Sequence, residues 1–403
     1  MIFLIFLRIL IPMDDTQKDH LRAYGLTYWV LKQGFDAEWL LNYRGGSFLL
    51  PSIEGVKEQA NILGVSYTEI TEDQVNEIYG IIERENMEVV LLEKAPKIAV
   101  YIPEIEGPWD DAVCLALEYA KIPYDRIWDK EILSGALSKY DWLHLHHEDF
   151  TGQYGKFYAE YSNTDWYKAS VYVNEEMARN LGYKKVWMMK HDVALKIKEF
   201  VENGGFLFAM CSAPITLDIA LAWNGIDIVP KEIDGDGINL NYQNLPDFSR
   251  TFAFKDINLI TNIFIYEHSD VDVTMEAVSR GERSLFTLNE FYAKRDVLPT
   301  ILIQNHTRYV KEFLGQDTGF RRDKIKGDVY ILGDVKGTDE VKYIFGSRGK
   351  GTFTFLGGHD PEDYQHFVGD PPTLLELHKN SPGYRLILNN ILFPAARKKE
   401  LKT

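Results

Sequence analysis

Cysteine is scarce in this chain. Two residues in 403, Cys114 and Cys211, cannot build a disulfide framework, so each thiol has to be explained by packing or by chemistry. Basic charge is also short. Lys and Arg number 44 against 60 Asp and Glu, and the net charge of −16 argues against nucleic acid or an anionic membrane surface as a main partner. No low-complexity tract or internal repeat is present, and 45% hydrophobic with 26% charged residues is an ordinary globular composition. The apolar run Met1–Pro12, broken by Arg8, is shorter than the roughly 20 residues a membrane span needs, and nothing else suggests a span. It matches the apolar region of a secretory signal peptide, without a basic start or a small-x-small cleavage site. Residues 1–13 are therefore expected to be a candidate signal peptide of an exported or periplasmic protein. The alternative is a buried N-terminal strand or helix in a cytoplasmic one.

What is there reads as about two or three domains. Residues 14–95 form a small α+β domain: a helix over Lys18–Lys32, a hairpin from Glu38–Asn42 and Ser47–Leu50, and a helix over Ile53–Leu63. A strand at Ser66–Ile70, a Thr71-capped helix and a strand at Glu88–Leu92 complete it. From Lys97 strands and helices alternate, which predicts an α/β fold with a flavodoxin-like, doubly wound parallel sheet over 97–223 and 340–395. Residues 224–339, rich in Asn, Asp, Tyr and β-branched side chains, read as a β-rich insertion or lid. Strands are expected there at Asn239–Gln243, Val271–Thr274 and Thr300–Ile303. Ligands of such sheets collect at the carboxyl ends of the strands, here Ile102-Pro103-Glu104, His146-His147-Glu148 and Cys211.

Cys114 falls in a helical run beside Ala112, Leu115 and Ala116 and reads as a small core residue. Cys211 is set differently. The strand Phe206–Met210, a sharp turn at Cys211-Ser212 and a helix over Ala213–Trp223 place the thiol at a helix N-terminus, which favours the thiolate nucleophile. A strained elbow needs small residues two before and two after the nucleophile, and Ala209 and Ala213 supply them. His359, in the Gly-Gly loop after the last strand, falls at the same sheet edge, with Asp360 and Glu362 as candidates for the acid that orients it. His146, His147 and Glu148, with Ser212, are expected to line the site. A metal is the second reading of the His-rich strand end: His144, His146 and Glu148 are ordinary ligand types for Zn²⁺. No cofactor is otherwise expected. The aromatic crowd Tyr154, Phe157, Tyr158, Tyr161, Trp166 and Tyr167 suits either the core of an insertion or the faces of sugars, so the expected partner is a small-molecule or glycan substrate.

The elbow Ala209-Met210-Cys211-Ser212-Ala213 resembles the Gly-x-Cys-x-Gly elbow of class I glutamine amidotransferases, and His359-Asp360-Pro361-Glu362 resembles their His-Pro-Glu. The resemblance covers about residues 97–223 and 340–395. It implies a Cys-dependent hydrolase or amidase acting through Cys211 and His359. Alanines stand for both elbow glycines, Asp360 is an extra residue, and His144–Asp149 stands where the family has a Gly-Gly loop. These departures point to a divergent or degenerate member, with a non-catalytic, carbohydrate-directed binding protein and a true glutamine amidotransferase as alternatives. The helix Gly383–Asn390 adds a looser similarity to trehalose-utilisation-type proteins.

Overall fold

The computed structural model describes residues 7–105 and 107–397. Five strands, Leu7–Ile11 (β1), Ala37–Leu41 (β2), Ser47–Pro51 (β3), Thr68–Thr71 (β4) and Glu88–Leu92 (β5), make an antiparallel sheet in the order β4-β1-β3-β2-β5. Over residues 7–11 the apolar N-terminal run is thus an interior strand, paired on both edges, with Ile9 and Ile11 fully buried. Arg8, the charge that interrupts the run, reaches Glu38 at 3.1 Å. A processing cut after residue 13 would remove this strand; residues 1–6 lie outside the described residues.

The helix His20–Lys32 joins this sheet to the rest of the molecule. Asp19 caps it by accepting the Arg22 amide at 2.9 Å. Gly25 lies so close to the helix Ala112–Ala120 that a Cβ would stand 1.8 Å from the Ala120 carbonyl oxygen. Tyr119 donates to Asp19 at 2.7 Å, and Tyr28 donates to the Pro96 carbonyl at 2.9 Å. One apolar core therefore runs from Ile9 and Trp39 through Ala116 to Leu388, across the boundary expected near residue 96.

The second sheet has ten strands: Ile98–Tyr101 (β6), Asp125–Ile127 (β7), Trp142–Leu145 (β8), Phe206–Met210 (β9), Leu285–Leu288 (β10), Tyr309–Lys311 (β11), Phe320–Arg321 (β12), Tyr330–Asp334 (β13), Glu340–Arg348 (β14) and Gly351–Leu356 (β15). Its order is β11-β10-β13-β14-β15-β9-β8-β6-β7, with β12 beside β14. The run β15-β9-β8-β6-β7 is parallel, and the remainder is antiparallel. The fold is mixed α/β. β9 is buried at every position, the pattern of a central parallel strand covered by helices on both faces.

Residues 224–339 extend this same sheet through β10 to β13. None of the three expected there forms a full strand: 242–244 is a short 3₁₀ turn, Val271–Thr274 keeps a single bridge from Asp272 to Phe320 before the helix Thr274–Arg280, and Val297–Ile303 is a helix with Pro299 to Ile303 buried. Burial of that short apolar face overrides the β-branched preference of Thr300, Ile301 and Ile303.

Candidate active site

Four parallel strands deliver their carboxyl ends to one place. β6 leads to Asp110 and Asp111, β8 to His146 and His147, β9 to Cys211 and β15 to His359. Cys211 has φ 50°, the left-handed conformation that a non-glycine residue adopts at a cost of about 1–3 kcal/mol. Two bonds hold it there: its N–H donates to Gly358 O at 3.2 Å, and the Ala213 N–H donates to His146 O at 3.1 Å. Gly358 has no alternative. Its φ is 94°, and a Cβ would meet the Phe313 ring at 2.5 Å. The thiol is 4% exposed and accepts the Gln316 N–H at 3.4 Å.

His359 is the hub. The Cys211 sulfur lies near enough to its imidazole to favour the charged ring. Its Nδ1 lies 3.1 Å from His146 Nε2, and His146 Nδ1 lies 3.2 Å from Asp111 Oδ1. Its Nε2 faces Asp110 Oδ1 at 3.7 Å. Burial works against a charge on His359, but Asp110 and the Cys211 sulfur outweigh it and raise the group to about 10. Burial takes His146 the other way, down to about 4, with Asp111 opposing. The acceptors assign the tautomers. Neutral His146 faces Asp111 through Nδ1 and accepts at Nε2 from His359 Nδ1–H, which leaves His359 Nε2 toward Asp110. Asp111 is itself fixed as the cap of the helix Ala112–Ala120, accepting the Val113 and Cys114 amides at 2.7 and 2.9 Å. His144, with Nδ1 on the Phe208 carbonyl, turns its other nitrogen to Asp111 at 3.5 Å.

Other expected residues fall elsewhere. Asp360 accepts from Tyr384 at 2.7 Å and from the Glu362 amide at 2.8 Å, and Glu362 pairs with His378 at 3.0 Å. Neither orients His359; that role passes to His146 and Asp111. Asp360 turns to Tyr384 on the closing helix Pro382–Leu392, and Glu362 turns to His378 ahead of that helix. Glu148 turns back to accept its neighbour's amide, His146 N–H, at 2.6 Å, and burial with Asp111 raises its carboxyl to about 8. The ligand set His144, His146 and Glu148 is therefore not formed. Ser212 is buried with its hydroxyl unpartnered. The groups that could hold a metal are instead His146, His147 and His359; Asp110, His359 and His366; and Asp111, His144 and His146. Asp110, Asp111, Gln316 and His366 were not singled out from the sequence. The one signal was adjacent acids between a strand and a helix start.

Cys211, His147, His359 and His366 open onto a cavity of about 360 Å³ walled by Trp109, Phe157, Tyr161, Tyr266 and Phe367. Trp109 and Phe157 stack with ring centroids 5.0 Å apart. The aromatic cluster thus joins a pocket wall, while Tyr154 and Tyr167 pack beneath it with centroids 6.1 Å apart. Cys114 behaves as a core thiol, pushed up by burial and by Asp111. Among the described residues no helix is long and apolar enough to cross a membrane.

No family model matches the chain, and no curated protein matches it. Solved structures with some likeness include two from Salmonella typhimurium. Cytoplasmic protein STM3548 is 12% identical over 75% of this chain and 100% of that one, with a TM-score of 0.38. Cytoplasmic protein STM1381 is 13% identical over the same shares, with a TM-score of 0.37. A β-galactosidase from Bacillus circulans sp. alkalophilus is 12% identical over 67% of this chain and 29% of that one, with a TM-score of 0.28. Likeness at this level transfers neither site residues nor activity.

Proposed function

We propose that the chain is a thiol-dependent hydrolase or amidase on a divergent class I glutamine amidotransferase-like core, with Cys211 as nucleophile. The parallel strands, numbered by chain order as 2-1-3-4-5, support the flavodoxin-like reading of that core. One observation carries the chemistry: a cysteine in a strained left-handed turn, with the His359 imidazole near it and a cavity that both border. In the reaction, the proton of Cys211 resides on His359 and the thiolate Sγ attacks a carbonyl carbon. The Gln316 N–H, already against the sulfur, is the donor nearest to the developing oxyanion. The C–N or C–O bond then breaks as His359 returns the proton to the leaving group, and water hydrolyses the thioester. His146, backed by Asp111, holds the His359 ring in place through Nδ1.

The cavity size supports a small-molecule substrate, and its aromatic walls suit the apolar faces of a sugar ring as well. The test is iodoacetamide alkylation of the native chain, with sites mapped by mass spectrometry. Cys211 is expected to react well ahead of Cys114, and His359→Ala to slow it by at least about tenfold. Alkylation of Cys211 no faster than of Cys114, or a rate indifferent to His359→Ala, would refute the reading. A panel of amides and esters then seeks the turnover that Cys211→Ala removes.

A further inference from the structure

His359 has close neighbours besides the thiol. His366, seven residues further on, stacks on His359 with ring centroids 4.8 Å apart and planes 22° apart. Its Nε2 comes to 3.1 Å from Asp110 Oδ1, while His359 Nε2 stands 3.7 Å from the same oxygen. Neither approach is aligned as a hydrogen bond. Asp110 Oδ1 and Oδ2, His359 Nε2 and His366 Nε2 are all buried without a hydrogen-bond partner. The His366 side chain is 4% exposed and the Asp110 side chain 12%. Three buried ligand atoms that approach one another without bonding are converging on a point between them.

The outer contacts say which face of each ring is free. His366 Nδ1 lies 2.8 Å from Asp363 Oδ2, and His359 Nδ1 lies 3.1 Å from His146 Nε2, with Asp111 behind. A histidine that donates one N–H to a carboxylate or its relay turns the other nitrogen's lone pair outward, the usual support for a metal-bound imidazole. Ligands about 2.0–2.1 Å from a tetrahedral Zn²⁺ stand roughly 3.3 Å apart, which the 3.1 and 3.7 Å separations bracket. Two imidazoles and one carboxylate leave a fourth position, and His359 and His366 both border the cavity.

We propose that Asp110, His359 and His366 form a three-ligand site for a divalent transition metal of the Zn²⁺ class, and that occupancy withdraws His359 from Cys211 and so switches the thiol off. The second half rests on the thiol reading above; the metal site does not. A ring that ligates a cation through Nε2 cannot carry the second proton as well, so the proton and the metal compete for His359.

The test is a titration of the metal-free full-length chain with ZnSO₄ against a fluorescent chelator, together with the absorption spectrum of the Co²⁺ form. One equivalent is expected to bind. His366→Ala and the milder His366→Gln and Asp110→Asn are expected to weaken binding at least tenfold, with unfolding midpoints recorded for each. In the same tubes, Zn²⁺ is expected to slow alkylation of Cys211 in the parent chain at least tenfold and to leave His366→Gln unaffected. Failure to bind an equivalent of Zn²⁺, or binding equally strong in all three variants, would overturn the site. Binding without an effect on alkylation would overturn the switch alone. A Cys211 as inert as Cys114 in the metal-free chain would refute the thiol reading and leave the zinc titration to decide the site by itself.

Discussion

The antiparallel sheet of residues 7–92 and the carboxyl edge of the parallel strands treat polar atoms in opposite ways. In the first, charged groups find partners: Arg8 with Glu38 at 3.1 Å, Arg44 with Asp14 at 2.6 Å, Tyr79 with Glu38 at 2.6 Å. Only Arg22 Nε and Asn42 Oδ1 are buried there without a hydrogen bond. At the carboxyl edge the same is true of atoms on Asp110, His144, His146, His147, Ser212, His359 and His366. A buried polar atom left unpaired costs about 1–3 kcal/mol, so the second arrangement carries a cost that the first largely avoids. One region is built to be stable. The other holds groups in readiness, supported by the stability of its surroundings.

The sharpest way to break this comparison is to remove a piece of the stable region. Deleting residues 1–13 would take away β1, open both β3 and β4, and delete Met13, whose carbonyl accepts from Arg385 at 3.2 Å. Because the core of this sheet runs into the α/β part through the helix His20–Lys32, the loss should spread. The expected outcome is a chain without a cooperative thermal transition, a loss on the scale of a whole domain's stability, about 5–15 kcal/mol. A truncated chain that melts like the parent would show that β1 is dispensable and that the two regions do not share a core in any energetic sense.

How far the sequence discloses each region follows from the range of the interactions. Local signals carry far: Phe206–Met210 and Gly351–Leu356 are apolar runs punctuated by glycine, and both stand where patterning predicts. The Cys211 elbow is legible for the same reason, because strand, turn and helix are contiguous. The partners of His359 are not. Asp110 and Asp111 lie about 250 residues upstream, and only strand order brings them alongside. Asp360 and Glu362 are the nearer acids along the chain, yet they bond to Tyr384 and His378. In the stretch 224–339, β-branched composition suggests strands, and packing makes a helix of the most apolar of them, Thr300–Ile303.

A smaller effect sharpens the comparison by separating structural histidines from those at the edge. His191, on the helix Val186–Glu202, is buried, accepts the Gly225 amide at 3.2 Å and is pushed down to about 4 by burial. A histidine whose folded pKa is depressed contributes stability above the unfolded value of about 6.5 and loses it as pH falls toward the folded one. Stability should therefore decline between about pH 6.5 and 4, with His191 accounting for as much as about 3 kcal/mol at the lower limit. His191→Asn keeps an acceptor for Gly225 and removes the titration. It is expected to flatten the decline measured by urea unfolding at a series of pH values. An unchanged pH profile in this variant would assign the acid sensitivity to other groups.

The smallest effect concerns the strain itself. Cys211 occupies φ 50°, where alanine pays the penalty of a left-handed residue and glycine does not. Ordinarily glycine costs stability relative to alanine through the freedom it gains in the unfolded chain. At this position the order should reverse, with Cys211→Gly more stable than Cys211→Ala by about 1 kcal/mol and both devoid of alkylation at 211. Fixed elements surround the site, since Gly358 cannot gain a Cβ without striking Phe313 and the Ala213 amide is held by His146, so the backbone has little room to relax the alanine. If alanine proves the more stable, the elbow is not strained. The feature that distinguishes Cys211 from Cys114 would then be the neighbouring imidazole alone.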